Sequence, residues 1–581
     1  LNRNNEAHFN QIPQTHISRS RFKRDQNVKF TFDAGKLIPF YVDEVLPGDT
    51  FSVDTAGLVR MTTPIFPVMD NAYLDVYYFF VPNRIVWDHW KEFMGENTTG
   101  AWEQKTEYSV PQQYLAGYTM KSGTEIEASP IGTVPEEESV LDYMGIPTKC
   151  NRVAAITPEE AKKDISINAL PIRGYVKIWN EWFRDQNLTD PVKEVKDDKP
   201  AVYVKLDESH EWTDTQKNLN AATGGKPLPV AKYHDYFTSA LPAPQKGPNV
   251  AIGITGDARI QWAFTVDELQ DYGIMTSNGA THLVPTNGNT LGAPTRPDTN
   301  GYPRVLLGKD SGGLSTWVPM QARLDNVEAA TVNQLREAFA VQHYYEALAR
   351  GGSRYREIIR SVFGTLISDK TVQIPEYLGG GRYPINMSQV VQTSSTTADS
   401  PQGNTAAISV TPFNENSFTK SFEEHGFIIG VCCVRHDHTY QQGIERMWSR
   451  QDALDYYYPQ FANLGEQAVK VKEIYTGKEL TKENTEEVFG YQEAWSEYRM
   501  KPNRVAGKFR SNATGTLDTW HYADNYDKRP YLSDEWIKEG KQEIQRTLAV
   551  QDEPQFIADF LIQNNTTRPM PLYSVPGLEK L

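Results

Sequence analysis

Tyr73-Leu74-Asp75-Val76-Tyr77-Tyr78-Phe79-Phe80-Val81 is the stretch that decides the fold. Successive side chains on a strand point to opposite faces, so Leu74, Val76, Tyr78 and Phe80 lie on one side and Tyr73, Tyr77, Phe79 and Val81 on the other. Both sets are largely apolar, which predicts a strand covered on both faces and lying deep inside a layered domain. Pro82-Asn83 ends it, and Trp87, Trp90 and Met94 then recur at helical spacing until Gly95 stops a short helix. Upstream, Val28, Phe30 and Phe32 alternate with polar partners. Phe51 and Val53 do the same after a Pro47-Gly48-Asp49 turn, the pattern of strands with one buried face.

Strand signals return at Phe427–Val434, where nearly every position is apolar, and at Phe556–Ile562. An aromatic helix candidate lies around Val176–Asp185. Thr331 and Gln334 form a capping box, and Val332, Leu335, Phe339 and Leu348 make an apolar stripe that runs to Gly351-Gly352. This helix is expected to pack on an apolar surface. Residues 241–320 hold 11 Gly and 8 Pro, 19 of 80 residues against 75 of 581 for the whole chain, which predicts surface loops and turns. Short strands at both ends without an alternating βα pattern predict a mainly β protein: an antiparallel β-sandwich with large loop insertions containing short helices.

The chain has 581 residues, 39% hydrophobic, 23% charged and 11% aromatic, a globular composition that argues against global disorder and against a coiled-coil rod. Mean hydropathy is −0.56, and no apolar run approaches the roughly 20 residues of a bilayer helix, so no membrane insertion is expected. Leu1–Gln11 is polar and lacks the apolar centre of a secretory signal. Cys150, Cys432 and Cys433 are too few for a disulfide framework and read as buried thiols made in a reducing compartment.

A net charge of −15 conceals an asymmetry. Residues 1–30 carry Arg3, Arg19, Arg21, Lys23, Arg24 and Lys29 against Glu6 and Asp25; six minus two gives +4 there and leaves −19 for the rest. Residues 1–27 therefore read as a basic arm on an acidic body, extended and ordered only against something else. Stretched out, such an arm reaches roughly 80 to 90 Å at about 3.3 Å per residue, enough to cross onto a neighbouring subunit. Arg19, Arg21, Lys23 and Arg24 are either a solvated tail or a nucleic-acid contact.

Signatures of enzymes are weak. There is no P-loop, since Gly224-Gly225-Lys226 lacks the upstream glycine and the following hydroxyl. Gly379-Gly380-Gly381 has no strand-to-helix context for a dinucleotide, and no cofactor is expected. His436-Asp437-His438 places two imidazoles on one face of a strand, where they could ligate a metal or act as a base; no third partner is visible, and a polar strand end leaving for solvent is the favoured reading. Asp88 and Glu92 have a spacing that glycosidases use, but 74 carboxylates guarantee such pairs by chance. The aromatics Tyr456-Tyr457-Tyr458 and those around Trp495, Tyr498 and Trp520 are read as packing between subunits in preference to stacking on sugars or bases. A carbohydrate-active sandwich and a monomeric adhesin are the competing classes.

Longer strings carry more specific information. Phe32-Asp33-Ala34-Gly35-Lys36-Leu37, Phe40 and Val42-Asp43-Glu44-Val45-Leu46-Pro47-Gly48-Asp49-Thr50-Phe51 resemble the major capsid protein of gokushoviruses, small single-stranded DNA phages of the microvirus family. So do Thr63-Pro64-Ile65-Phe66-Pro67, Phe79-Phe80-Val81-Pro82-Asn83-Arg84 and, at the far end, Pro569-Met570-Pro571-Leu572-Tyr573-Ser574-Val575-Pro576-Gly577-Leu578. The resemblance implies no enzyme but an eight-stranded jelly roll, sixty copies of which close a T=1 icosahedral shell around a circular single-stranded DNA genome, with protrusions at the threefold axes. It also implies a small basic DNA-binding packaging protein and a pilot protein as partners, and a virion assembled in the bacterial cytoplasm. On these readings residues 1–27 are the arm, interior or inter-subunit, with Arg19, Arg21, Lys23 and Arg24 facing DNA. Residues 28–96 hold the first strands and short helix, and 97–189 an insertion. Residues 190–320 form the protrusion, whose tip contacts a host cell-surface receptor. Residues 321–581 carry a helix, the remaining strands and the tail.

Overall fold

A computed structural model describes residues 18–97, 107–122, 125–129, 133–149, 165–207, 210–248, 250, 259–262, 296–297, 303–309, 315–323, 332–396, 402–403, 405–481 and 484–574. Its core strands, in chain order, are β1 (Ser20–Lys23), β2 (Gln26–Phe32), β3 (Ile38–Val45), β4 (Thr50–Met61), β5 (Ala72–Pro82), β6 (Glu376–Pro384), β7 (Thr411–Ser421), β8 (Gly426–His436) and β9 (Phe556–Arg568). They form two antiparallel sheets. In the first, β9 pairs with β1 and β2 along one edge and β4 along the other, and β7 follows β4; in the second the order is β6-β5-β8-β3. The protein is mainly β, an antiparallel sandwich with few helices. Among the described residues no helix is long and apolar enough to cross a membrane.

Alternation sets which side chains meet. In β9, Phe556, Ala558, Phe560 and Ile562 point inward, followed by Asn564 and Thr566. The last two are polar and buried, so they are satisfied locally: Thr566 donates to Asn564 Oδ1 (2.6 Å), and Asn564 Nδ2 donates to Tyr41 Oη (2.8 Å). Phe560 meets Phe40 across the sandwich, ring centres 5.0 Å apart, and the hydroxyls of Thr55 and Tyr78 lie 2.7 Å apart between the sheets.

The two apolar sets of Tyr73–Val81 separate as expected. Leu74, Val76, Tyr78 and Phe80 enter the core between the sheets, whereas Tyr77, Phe79 and Val81 join a second core on the outer face. That outer core is roofed by the helix Leu170–Ile178 and the π-turn Trp179–Phe183, an earlier start than the 176–185 segment read from aromatics. Tyr175 Oη donates to the Leu37 carbonyl at 2.8 Å, tying the roof to the sheet. Cys432 faces the inner core and Cys433 the outer one; both are free and buried, and burial pushes the Cys433 thiol up to about 12. Cys150 lies outside the described residues.

Four features depart from the sequence reading. Residues 20–27 are not a free arm: β1 and the start of β2 add to the edge of β9, because that edge would otherwise expose unpaired backbone groups. The connections are longer and placed differently, with 83–375 between β5 and β6 and 437–555 between β8 and β9. Val332, Leu335 and Phe339, expected to pack, are exposed on the helix Val332–Gly351, and the capping Thr331 lies outside the described residues. Gly379-Gly380-Gly381 is part of β6. A Cβ on Gly379 would lie 2.0 Å from the Ser417 carbonyl oxygen and one on Gly380 2.1 Å from that of Val76, so the run exists to let three backbones meet. Residues Gln245–Glu346 form a compact unit of their own, whose sheet orders Arg259–Trp262, Ser315–Arg323, Pro303–Lys309 and Arg296–Pro297.

Asp75 is the polar exception in β5. It is fully buried and accepts from Arg382 Nε on β6 (2.8 Å), from Arg435 on β8 and from Tyr233 Oη (2.8 Å), so one carboxylate laces three strands. Removing it leaves the Arg435 guanidinium, itself largely buried, without its counter-charge. Asp75→Ala is expected to cost about 3 to 5 kcal/mol, read as a lower urea midpoint of the dissociated chain; a midpoint unchanged from wild type would contradict this account.

Candidate functional site

The four basic candidates divide. Arg21 and Lys23 alternate with the half-buried Ser20 and Phe22 along β1 and stand exposed on the outward side, as does Arg19 just before the strand. Lys23 Nζ is 3.1 Å from Asp25, an exposed pair of little energetic weight. Arg24 is different. Its Nη2 donates to Asp43 Oδ1 (2.7 Å), and Asp43 also accepts from Tyr41 Oη (2.8 Å) and Asn564 Nδ2 (3.1 Å). Burial works against the charge on Arg24, but the Asp43 carboxylate overcomes it and raises the guanidinium pKa. Arg24 therefore locks the link between β1 and β2 to β3 and β9, leaving Arg19, Arg21 and Lys23 as the candidates presented outward.

The aromatic segment forms a platform. Tyr457 packs on Trp495 and Tyr498 with ring centres 5.7 and 6.2 Å apart, and the Arg450 guanidinium lies 4.4 Å from the Tyr498 ring centre. Trp495 is buried and donates from Nε1 to the Phe461 carbonyl (2.9 Å), anchoring the platform from below. Trp448 and Leu454, 72% and 69% exposed, add apolar surface in the same stretch of chain that sequence reasoning did not single out. Trp520 belongs elsewhere, stacked on Phe66 with centres 5.0 Å apart. Large exposed aromatics with an arginine are the composition of a protein interface.

The histidines overturn the expectation of a strand end leaving for solvent. His436 ends β8 on its inner side, His438 continues the same face, and both are buried. The intervening Asp437 turns away and accepts from Tyr73 Oη at 3.2 Å. The 437–555 connection returns over the pair with Tyr522, Asp524 and Glu539. His438 Nδ1 is 2.9 Å from Asp524 Oδ1 and its Nε2 3.2 Å from Glu539 Oε2, while His436 Nδ1 is 2.5 Å from Glu539 Oε1. Burial opposes charge on His438, but the Asp524 and Glu539 carboxylates outweigh it and push the imidazole up to about 10. The same ion pairing holds both carboxylates below their usual range against strong desolvation. Glu539 was missed because it lies 101 residues beyond His438, a distance at which local spacing carries no signal.

Asp88 and Glu92 sit on the surface turn around Trp87–Phe93, with Asp88 exposed and its backbone N–H donating to the Lys196 carbonyl (3.2 Å). Trp87 beside them is buried and donates from Nε1 to Asp198 Oδ1 (2.6 Å), a packing role.

A family model described as "Capsid protein (F protein)" matches residues 10–578. Capsid protein VP1 of Chlamydia phage 1 is 38% identical, over 99% of this chain and 98% of its own length. Capsid protein VP1 of Bdellovibrio phage phiMH2K is 39% identical with the same coverage of both chains. That of Spiroplasma virus 4 is 36% identical, again over 99% and 98%. The chain belongs to the phage capsid protein (F protein) family, among the gokushovirus capsid proteins that its strings at 32–51 and 569–578 resemble.

Proposed function

We propose that sixty copies of this chain close a T=1 icosahedral shell around a circular single-stranded DNA genome, with the basic segment turned inward and a threefold protrusion used for host attachment. Family membership makes the chain a self-assembling component of the virion. The observation that carries the finer reading is strand order. With β1 and β2 sharing one position and the strands lettered B to I along the chain, the sheets read B-I-D-G and C-H-E-F, which supports an eight-stranded jelly roll. The exposed side chains of Trp448, Leu454 and Tyr457 support side-to-side assembly, since a standard interface buries about 1,600 Å² around a few such anchors.

Charge constrains the interior. Sixty copies at −15 each bring about −900 charges to a shell enclosing a polyanion, so cations must come from elsewhere. Arg19, Arg21 and Lys23 supply some; a small basic packaging protein, polyamines or divalent cations supply the rest. A pilot protein is a further partner, and buried free thiols suit assembly in a bacterial cytoplasm. Of the 190–320 region, the part from Gln245 onward is assigned to the protrusion, supported by the compact unit at Gln245–Glu346, whereas Leu228 and Val230 pack in the outer core.

Four experiments test these statements. Purified chain supplied with its helper proteins should sediment as large particles that are hollow spheres in negative stain. Trp448→Glu with Leu454→Glu should keep the wild-type circular dichroism and lose the spheres; wild-type material confined to small oligomers would sink the shell. Replacing Arg19, Arg21 and Lys23 by Ala should lower DNA per particle, and wild-type DNA content would contradict an inward arm. Deleting residues 245–310 should leave shells without threefold density that adsorb poorly to the host, whereas unchanged protrusions or normal adsorption would refute that assignment.

A further inference from the structure

The buried His436, His438 and Glu539 cluster does more than pair charges. Both ring nitrogens of His436 and Glu539 Oε1 are buried without a hydrogen-bond partner, although His436 Nδ1 and Oε1 lie 2.5 Å apart. Buried polar groups in folded proteins are otherwise almost always satisfied, so unpartnered atoms on two adjoining buried side chains call for a missing group, which His436 can face with one ring nitrogen, Nδ1 being the one beside Glu539 Oε1. The donor atoms of the three residues lie within 4.8 Å of one another, and side-chain movements of about 1 Å would bring them onto one ion with bonds of roughly 2.0–2.2 Å.

We propose that this cluster binds one zinc-class divalent ion, held by His436, His438 Nε2 and the Glu539 carboxylate. Two imidazoles and a carboxylate suit a borderline transition metal, whereas calcium and magnesium require mostly oxygen ligands. The surroundings are those of a metal site. With Nε2 on the ion, His438 Nδ1–H donates to Asp524, which also accepts from Tyr526 Oη (2.7 Å) and has Lys232 Nζ 3.7 Å away. Glu539 is fixed through its backbone: its N–H donates to the Val230 carbonyl (2.9 Å), and its own carbonyl oxygen would lie 2.3 Å from any Cβ placed on Gly35. The Tyr522 ring, 5.5 Å from that of His436, closes the site from the core side. On binding, the imidazoles give up any protons they carry to solvent and the ion takes their place. It clamps the start and the return of the 437–555 connection to the end of β8, a structural role.

The test is metal content of untagged full-length chain grown in zinc-supplemented medium, then unfolded with chelator and refolded with or without zinc chloride. Expected are one zinc per chain, X-ray absorption showing nitrogen and oxygen donors including two imidazoles, and a higher melting midpoint for the zinc-refolded sample. Calcium chloride should not substitute. Glu539→Gln and His438→Ala should lose the ion, and His343→Ala, at an exposed histidine, should keep it. Substoichiometric zinc in both the purified and the zinc-refolded wild-type chain would overturn the proposal. Because that measurement needs no variant, a misfolded mutant does not weaken it.

Discussion

The structure depends on burying β5 and β8 from both sides. These neighbours pair without interruption from Gly426↔Pro82 to His436↔Ala72, and their two faces supply the inner and outer cores. A sheet of this kind cannot stand as one half of an isolated sandwich, because its outer face would put Phe79, Val81, Ile429 and Val431 in water at about 25 cal/mol per Å². The Leu170–Ile178 helix and the segment around Leu228 and Val230 are thus part of the core, although they lie within a connection between strands.

This explains what was legible in the sequence. Tyr73–Val81 and Phe427–Val434 are readable because two-sided burial writes near-continuous apolar runs. β6 and β7 are not: one is built on glycines that admit neighbouring carbonyls, and the other shifts register between Asn416 and Phe418, breaking the period of two. β1 is charged and gains its strand character only from the edge of β9. The functional residues follow the same rule. Arg21 and Lys23 could be named from local charge, but Arg24 could not be told from them until Asp43 appeared beside it. His436 and His438 were visible as a pair, while Asp524 and Glu539 arrive by topology alone.

Polar chemistry in the interior is concentrated where long connections leave the sheets. Asp75 with Arg382 and Arg435, Asp43 with Asn564, and the histidine cluster each join segments far apart in the chain. Apolar packing tolerates sliding; a charged group with fixed partners does not, because misalignment strands a buried charge. Such links give a sandwich with two very long excursions a definite register.

The position of β9 sets an order of events during synthesis. Phe556 faces Met61 in the first sheet, so a central strand of that sheet follows its neighbour by about 500 residues. Until the ribosome has delivered β9, β4 lacks one of its two partners and β1 and β2 have nothing to join. A nascent polypeptide is thereby kept from completing the first sheet, and any surface that rests on it, until β9 has emerged.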